Sequence, residues 1–319
     1  MTIKKNSVKV CNKQKKKNPW YRDVDFLQLL SLAAIPILFV FIFNYLPMGG
    51  LIIAFKNFKY NLGIFGSEWI GFKNFEKFIC SNTFFTLVRN TVGNNLLFIF
   101  TGMISAILVA ILLYHVTSRK ATKTFQTIII IPHFISWVMV SYIAYTLFVP
   151  NTGVIDRVCE ALKLPKVSWY GTPAVWPAIL CVFNIWKHFG MDSVIYYAAL
   201  MGVDDSIIEA AKVDGANRIQ IMFKILLPQL MPVIIILGIM KFGNIFRGDF
   251  GLFYNVPRDI GALYETTDVL DTYIFRMTRV IGNMGVGAAA GLLQSFVGLV
   301  CVVIVNKIVN KISPDSGLF

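Results

Sequence analysis

The sequence predicts an all-α membrane protein with six transmembrane helices. Of its 319 residues, 56% are apolar and 14% are aromatic, whereas only 15% are charged, a balance too apolar for a soluble domain of this size. The apolar residues form stretches long enough to cross a hydrocarbon core of roughly 30 Å. The one long polar interruption in the C-terminal half has no strand pattern and is typical of two helices joined by a break.

The net charge of +13 would suit nucleic acid, but its distribution does not. Eight of the thirty Lys and Arg residues lie before residue 23, and the others flank apolar segments, which is the pattern of a membrane topology signal. We therefore expect no nucleic-acid partner. Residues 1–25 are predicted to form a basic cytoplasmic arm that anionic lipid headgroups attract. The membrane domain is predicted over residues 26–312 and a C-terminal tail over 313–319.

Six apolar stretches are predicted to span the membrane. The first is too long for a signal peptide and does not end at small residues, so we expect it to be retained. Pro132 is expected to kink the third span, because proline removes a helix hydrogen bond. An even number of spans with a basic N-terminus inside places both termini in the cytoplasm. The predicted spans are Phe26–Leu46, Asn90–Tyr114, Thr124–Val149, Pro173–Met201, Gln229–Arg247 and Val280–Asn306.

The polar interruption between the fourth and fifth spans runs from Glu209 to Pro232. Asp204, Asp205 or Ser206 is suited to cap its first helix, because short polar side chains accept hydrogen bonds from the first turn. The sequence Asp214-Gly215 supplies a residue that tolerates positive φ where that helix must stop. The stretch is therefore predicted to fold as helix, break, helix.

This stretch resembles the EAA loop of ABC importer permeases, the cytoplasmic coupling segment that docks into a groove on the ATP-binding subunit. The resemblance implies the ABC type I importer permease fold, with a coupling loop over residues 204–228. Small side chains would let the helix seat closely in its partner, and the glycine would let it lie across the membrane plane. The matching residues are Glu209, Ala210, Ala211, Asp214, Gly215, Ala216, Phe223 and Pro228.

A second resemblance covers three other stretches, Tyr45–Gly49, Trp69–Phe75 and Tyr264–Arg276. Their order is similar to that in the first permease of maltose-type carbohydrate importers, in the branch that handles complex oligosaccharides. This resemblance implies import of an oligosaccharide across a bacterial cell membrane. It also implies a second related permease as heterodimer partner, two ATP-binding subunits that hold ATP and Mg²⁺, and an extracellular sugar-binding protein.

The fourth predicted span is unusual because charged side chains interrupt its middle. A charge at the centre of a membrane helix costs about 2.5–3.5 kcal/mol on insertion scales, so this face must meet protein or water. In the maltose-type permeases that the sequence resembles, the helix before the coupling loop lines the sugar site, with His188 and Met191 at matching positions. The predicted substrate pathway comprises Asn184, Lys187, His188, Met191 and Asp192 of this span, with Lys241 and Asn244 of the fifth.

Spacing and charge give two further expectations for these residues. His188 and Asp192 are four residues apart, so they are placed to hydrogen-bond along the helix. Three basic or potentially basic groups, Lys187, His188 and Lys241, stand against one carboxylate, which favours an acidic oligosaccharide such as one carrying uronate. The alternative is that these groups only pair between helices of the two permeases.

No catalytic constellation or metal cluster is present in the sequence. There is no Gly-rich phosphate loop and no Cys or His spacing typical of a metal site, so we expect neither catalysis nor a cofactor in this chain. Cys80 and Cys159 both fall in predicted outer loops, and whether they pair stays open. Two other function classes also stay open: an ABC permease for a non-sugar solute, and a secondary transporter, which usually carries internal repeats.

Overall fold

The computed structural model describes residues 24–165 and 167–312, and these residues are mostly helical. The two short strands, β1 Lys56–Asn57 and β2 Glu68–Trp69, pair antiparallel. The all-α prediction is confirmed. The helices are α1 Val24–Val40, α2 Gly63–Gly66, α3 Lys73–Ile79, α4 Phe84–Tyr114, α5 Arg119–Phe134, α6 Trp137–Phe148, α7 Val154–Ala161, α8 Trp176–Leu200, α9 Asp205–Val213, α10 Arg218–Ile221, α11 Leu227–Gly243, α12 Phe250–Asn255, α13 Tyr264–Thr267, α14 Leu270–Phe275 and α15 Met284–Ile312.

Two compact units divide the chain, one ending at Leu51 and the other starting at Ile52. The first unit is dominated by α1, which continues through a π-helical turn at Phe41–Tyr45 into a 3-10 segment, Leu46–Phe55, whose last residues belong to the second unit. The second unit contains all the other helices. The first predicted span is therefore a helix, and helical structure extends beyond the predicted end.

Four helices among the described residues are long and apolar enough to span a membrane, and a fifth span results if α5 and α6 count as one. Helix α8 is not among them although it has 25 residues, because its central polar side chains lower its mean hydropathy. The count of six stays a prediction. The four helices are Leu27–Phe55, Phe84–Tyr114, Arg218–Gly243 and Met284–Lys311.

The third predicted span is broken and not merely kinked, which corrects the expectation of one continuous helix. Helices α5 and α6 meet at a bend of 93°, between Phe134 and Trp137. Pro132 lacks the N–H that would continue the hydrogen-bond ladder. Ser136 then starts a new helix, because its hydroxyl accepts a hydrogen bond from the N–H of Met139 at 3.4 Å.

Helix α8 lies at the centre of the second unit and makes its most extensive contacts with α4 and α5. Trp176, Tyr196 and Leu200 of α8 are buried almost completely. Gly190 lets α5 approach, because a Cβ at this position would lie 1.9 Å from the carbonyl oxygen of Ile129. The helix that carries the predicted pathway residues is therefore held on two sides by neighbouring helices.

Polar side chains at the start of α4 hold the segment that follows α11. The Asn90 amide donates to the carbonyl oxygens of Glu265 and Asp268, each at 3.0 Å. Arg89 donates to the Glu265 carbonyl at 2.6 Å. Since these contacts satisfy backbone groups that would otherwise be unpaired, they fix the predicted outer segment, residues 248–279, against α4.

Among the helix boundaries that differ from the predicted ones, the end of α11 and the start of α15 have clear structural consequences. Helix α11 ends at Gly243, four residues before the predicted end at Arg247, so Asn244 lies just beyond the helix. Helix α15 begins at Met284, because Gly282 adopts a φ of +76° that interrupts the helical backbone.

The predicted N-terminal arm lies almost wholly outside the described residues, as does the predicted tail. The domain boundaries drawn from the sequence therefore stay predictions. Cys80 and Cys159 are free thiols in this structure.

Candidate functional site

A cleft of about 480 Å³ opens between α4, α8 and the end of α11. Its apolar wall comes from α4, including Phe98 and Ile99, and Met240 of α11 adds to it. Polar side chains line the rest, and such a mixture of apolar walls with a few polar groups is typical of small-molecule sites. The polar lining residues are Asn95, Asn184, His188, Asp192, Lys241, Asn244, Arg247 and Asp249.

Five of the seven predicted pathway residues line this cleft. Asn184, His188 and Asp192 come from successive turns of α8, which places them on one stripe of the helix. Lys241 lies in the last turn of α11 and Asn244 directly after it. The structure thus brings the three predicted residues of α8 close to the two predicted residues at the end of α11. Their role toward a substrate stays a prediction.

Lys187 does not line the cleft, which corrects its predicted placement. Its side chain is buried, with 7% of the residue exposed. Its ammonium donates to the carbonyl oxygen of His133 at 2.9 Å, of Pro132 at 3.5 Å, and to that of Ile135. These carbonyls are at the broken end of α5, where no following helical turn supplies N–H groups. Lys187 therefore supplies hydrogen-bond donors to the carbonyls at the end of α5.

Met191 is the other predicted residue that the structure places elsewhere. It is 44% exposed and is not part of the cleft lining. Because successive helical residues are rotated by about 100°, Lys187 and Met191 lie on a different stripe from His188 and Asp192. The predicted single polar face is therefore divided into two.

Asp192 forms an ion pair between helices, and not the predicted hydrogen bond with His188. Its Oδ2 atom lies 2.5 Å from Nζ of Lys241. Both side chains are partly buried, at 22% and 32% exposed, where a charge-assisted hydrogen bond is stronger than in water. This contact joins α8 to α11 across the cleft.

His188 faces Asp249 instead, a residue that the sequence analysis did not select. The Nε2 atom of His188 lies 4.0 Å from Oδ2 of Asp249, and that oxygen accepts a hydrogen bond from Trp137 Nε1 at 2.8 Å. The second oxygen of Asp249 accepts from the N–H of Leu252 at 3.2 Å and caps α12. An Asp followed by a short helix was the only sequence signal for this position.

Asn95 and Arg247 are also cleft residues that the sequence analysis missed. The Asn95 amide donates to the carbonyl oxygens of Ile245 at 2.7 Å and Arg247 at 3.0 Å. An asparagine inside an uncharged span was the available signal for Asn95. With Arg247 and Asp249 included, Lys241, Arg247 and the potentially basic His188 stand against two carboxylates, so the excess of basic groups predicted from the sequence falls from two to one in the cleft.

The predicted coupling segment folds as helix, break, helix. Asp204 caps α9 by accepting from the N–H of Ser206 at 2.9 Å, a contact that lowers the pKa of Asp204. Gly215 has a φ of +80°, and the N–H of Ala216 donates to the Ala211 carbonyl at 2.9 Å, which closes the helix end. Glu209, Ala210, Asp214, Gly215, Phe223 and Pro228 are exposed, whereas Ala211 and Ala216 are half-buried.

Comparison with known proteins gives one family match. Residues 99–312 match the family described as binding-protein-dependent transport system inner membrane component. This range includes α8, the coupling segment and α11, and thus all the predicted site residues.

Relatives and solved structures agree with this match. The chain is 34% identical to the Bacillus subtilis protein LplB, with 91% of each chain covered. It is 30% identical to the polygalacturonan/rhamnogalacturonan transport system permease protein YteP of Bacillus subtilis, covering 96% of this chain and 95% of that one. A bacterial alginate ABC transporter, solved in complex with its alginate pentasaccharide-bound periplasmic protein, has a chain with a TM-score of 0.83, 32% identity and coverage of 92% and 98%.

We expect Lys187→Met to lower the yield and thermal stability of the folded chain in detergent. The substitution removes a charged donor from the partly buried carbonyls of His133 and Ile135 at the end of α5, and a hydrogen bond to a charged group contributes about 1.5–3 kcal/mol. Lys123→Met is the matched control, because Lys123 is an exposed lysine on α5, the helix whose end Lys187 of α8 contacts. Equal yields and equal unfolding temperatures for the two variants would contradict this role of Lys187.

Proposed function

The chain belongs to the family of binding-protein-dependent transport system inner membrane components, as a sugar ABC importer permease of the type I fold, and from that premise we propose that it carries an oligosaccharide inward at the expense of ATP hydrolysed by partner subunits. Permeases of this family are not enzymes themselves. The observation that carries the proposal is the polar cleft beside α8. Helix α8 ends at Leu200, and the chain then leads into the predicted coupling segment.

Carboxylate-bearing sugars are the proposed substrate class. One relative is named for polygalacturonan and rhamnogalacturonan, and a solved neighbour imports the acidic polysaccharide alginate. The cleft supports an oligosaccharide through amide, imidazole and charged groups that suit hydroxyls and carboxylates. A volume of about 480 Å³ on this chain alone lies in the usual range of roughly 300–1,000 Å³ for ligand pockets.

The coupling segment supports the proposal that this chain docks on an ATP-binding subunit. Besides Glu209 and Ala210, α9 exposes Ile207 at 43% and Val213 at 88%. Exposed apolar side chains beside small ones suit a helix that inserts into a partner's groove. Since α8 ends four residues before α9 begins, movement of the docked helix would be passed directly to the cleft.

The proposed assembly is a heterodimer of this chain with a second related permease, together with two ATP-binding subunits and an extracellular sugar-binding protein. A neighbour solved with its periplasmic sugar-loaded protein supports the last partner. The coupling segment would face the cytoplasm, and both termini with it. The cleft would then open outward or inward as the docked subunits close and part.

Two alternatives are kept as competing proposals. A permease for a non-sugar solute would share the coupling segment, and a ligand screen of the cognate binding protein would identify it. A secondary transporter would move solute without ATP, so uptake would persist with an ATPase-dead partner. The named relatives that transport sugars support the carbohydrate importer over both.

We expect Gly215→Leu to lower transport and substrate-stimulated ATP hydrolysis together, because it disturbs the segment that is proposed to dock on the ATP-binding subunit. A non-glycine residue in the left-handed region costs about 1–2 kcal/mol, which is roughly a 5–30-fold loss of the native loop conformation. Gly215→Asn is the matched control, because asparagine tolerates positive φ better than other side chains. Uptake and substrate-stimulated ATP hydrolysis would be measured in proteoliposomes that hold the whole transporter.

Gly215→Leu should lower both activities while membrane insertion persists, and Gly215→Asn should retain most of each. Normal uptake with Gly215→Leu at equal insertion would show that the assignment of the docking segment is wrong.

We expect His188→Gln to reduce sugar uptake more than basal ATP hydrolysis. Loss of a hydrogen bond of about 0.5–1.5 kcal/mol corresponds to roughly a 2- to 12-fold decrease. His115→Gln is the matched control, because His115 lies at the inner end of α4 and binds the Ile111 carbonyl. Unchanged uptake with His188→Gln would remove this residue from the pathway.

The same assay separates two roles of the Asp192–Lys241 pair. Lys241→Gln leaves a partly buried carboxylate unpaired, whereas Asp192→Asn with Lys241→Gln removes both charges. If Lys241 contacts sugar, the double variant stays impaired. Full recovery in the double variant would mean that the pair only joins α8 to α11.

A further inference from the structure

Arg247 differs from the other charged residues of the cleft. It follows the end of α11, lines the cleft and is exposed. Within residues 24–165 and 167–312, its guanidinium makes no hydrogen bond or ion pair. An arginine is charged at every physiological pH, so this cation stands in the cleft without a neutralising contact from the described chain.

The remaining charges of the cleft already have partners. Lys241 is paired with Asp192 at 2.5 Å. Asp249 accepts hydrogen bonds from Trp137 and Leu252 and has His188 at 4.0 Å. The lining thus has equal numbers of cations and carboxylates, but only one of these charges is free to meet a ligand.

The backbone that carries Arg247 is held by side chains from three different helices. Asn95 of α4 binds the carbonyl oxygen of Arg247 itself at 3.0 Å. Gln294 of α15 binds the Phe246 carbonyl at 2.7 Å, and Asp271 of α14 accepts the N–H of Gly248 at 2.7 Å. A residue fixed in this way is a rigid base for recognition.

Asp271 is a further carboxylate that the charge of Arg247 influences. Burial raises its pKa, while the Gly248 N–H, the Gln294 amide and the charge of Arg247 lower it. Its Oδ2 atom is occupied by the two hydrogen bonds from Gly248 and Gln294. Asp271 therefore holds the backbone in place behind Arg247 and is not part of the cleft lining.

We propose that Arg247 is the carboxylate-binding residue of the cleft and selects for a uronate unit of the transported oligosaccharide. The planar guanidinium fork matches a carboxylate with two parallel hydrogen bonds. The inference rests on the proposed function, because it names the group that recognises the charge of that substrate. A sugar that carries only hydroxyl groups would leave the Arg247 guanidinium without a carboxylate partner.

The test measures equilibrium binding of two probes to the assembled transporter in nanodiscs, without its binding protein. One probe is trigalacturonate, and the other is its fully methyl-esterified form, which has the same rings and no charge. The variants are Arg247→Gln and Arg247→Lys. Arg279→Gln is the matched control, because Arg279 is another exposed arginine and lies outside the cleft.

Arg247→Gln should weaken trigalacturonate binding roughly 10- to 100-fold, the range for a charge-assisted contact, and leave ester binding within about twofold, since uncharged contacts are unaltered. Arg247→Lys should be intermediate, because lysine keeps the charge and loses the fork. Arg279→Gln should bind both probes like the native protein.

Three results would overturn the inference, and each has a different consequence for the proposed transport function. Equal weakening of both probes would make Arg247 a structural residue. Unchanged trigalacturonate binding in Arg247→Gln would mean that Arg247 meets another group, such as a carboxylate of the second permease, and would leave the proposed transport function intact. Binding of the methyl-esterified probe but not of trigalacturonate by the native transporter would reject the acidic substrate class itself.

Discussion

A charged side chain inside an apolar helix has to find a partner, and α8 carries two such side chains near its centre. Lys187 reaches the free carbonyls at the end of α5, and Asp192 reaches Lys241 of α11. Each contact offsets part of a cost of about 2.5–3.5 kcal/mol for a charge at mid-membrane. Because the two contacts point in different directions, they hold α8 between a broken helix on one side and a cleft on the other.

The position of α8 in the chain links the contacts of Lys187 and Asp192 to the proposed transport movement. α8 leads within four residues into α9, and the polypeptide returns to the membrane through α10 and α11. The Asp192–Lys241 pair therefore connects the helices on both sides of the coupling segment. In the proposed transport cycle, a rigid-body movement of that segment would act on both walls of the cleft.

Much of the fold followed from the sequence because hydrophobic length and local capping are local properties. The long apolar helices, the Asp204 cap and the left-handed Gly215 were all expected from neighbouring residues. The break at Ile135 was not, since proline inside a span permits either a kink or an end. The partners of Lys187 and Asp192 were not predictable either, because residues 52 and 49 positions away supply them. Asp249 and Arg247 were missed for the same reason: only the folded chain brings them beside α8.

The proposed route of the sugar runs along the cleft between α4, α8 and α11. Cryo-electron microscopy of the assembled transporter with bound trigalacturonate tests it most directly. The account predicts sugar density against the stripe formed by Asn184 and His188, with the third wall supplied by the end of α11. Sugar density on another face of the chain, with these residues buried against the second permease, would contradict the account.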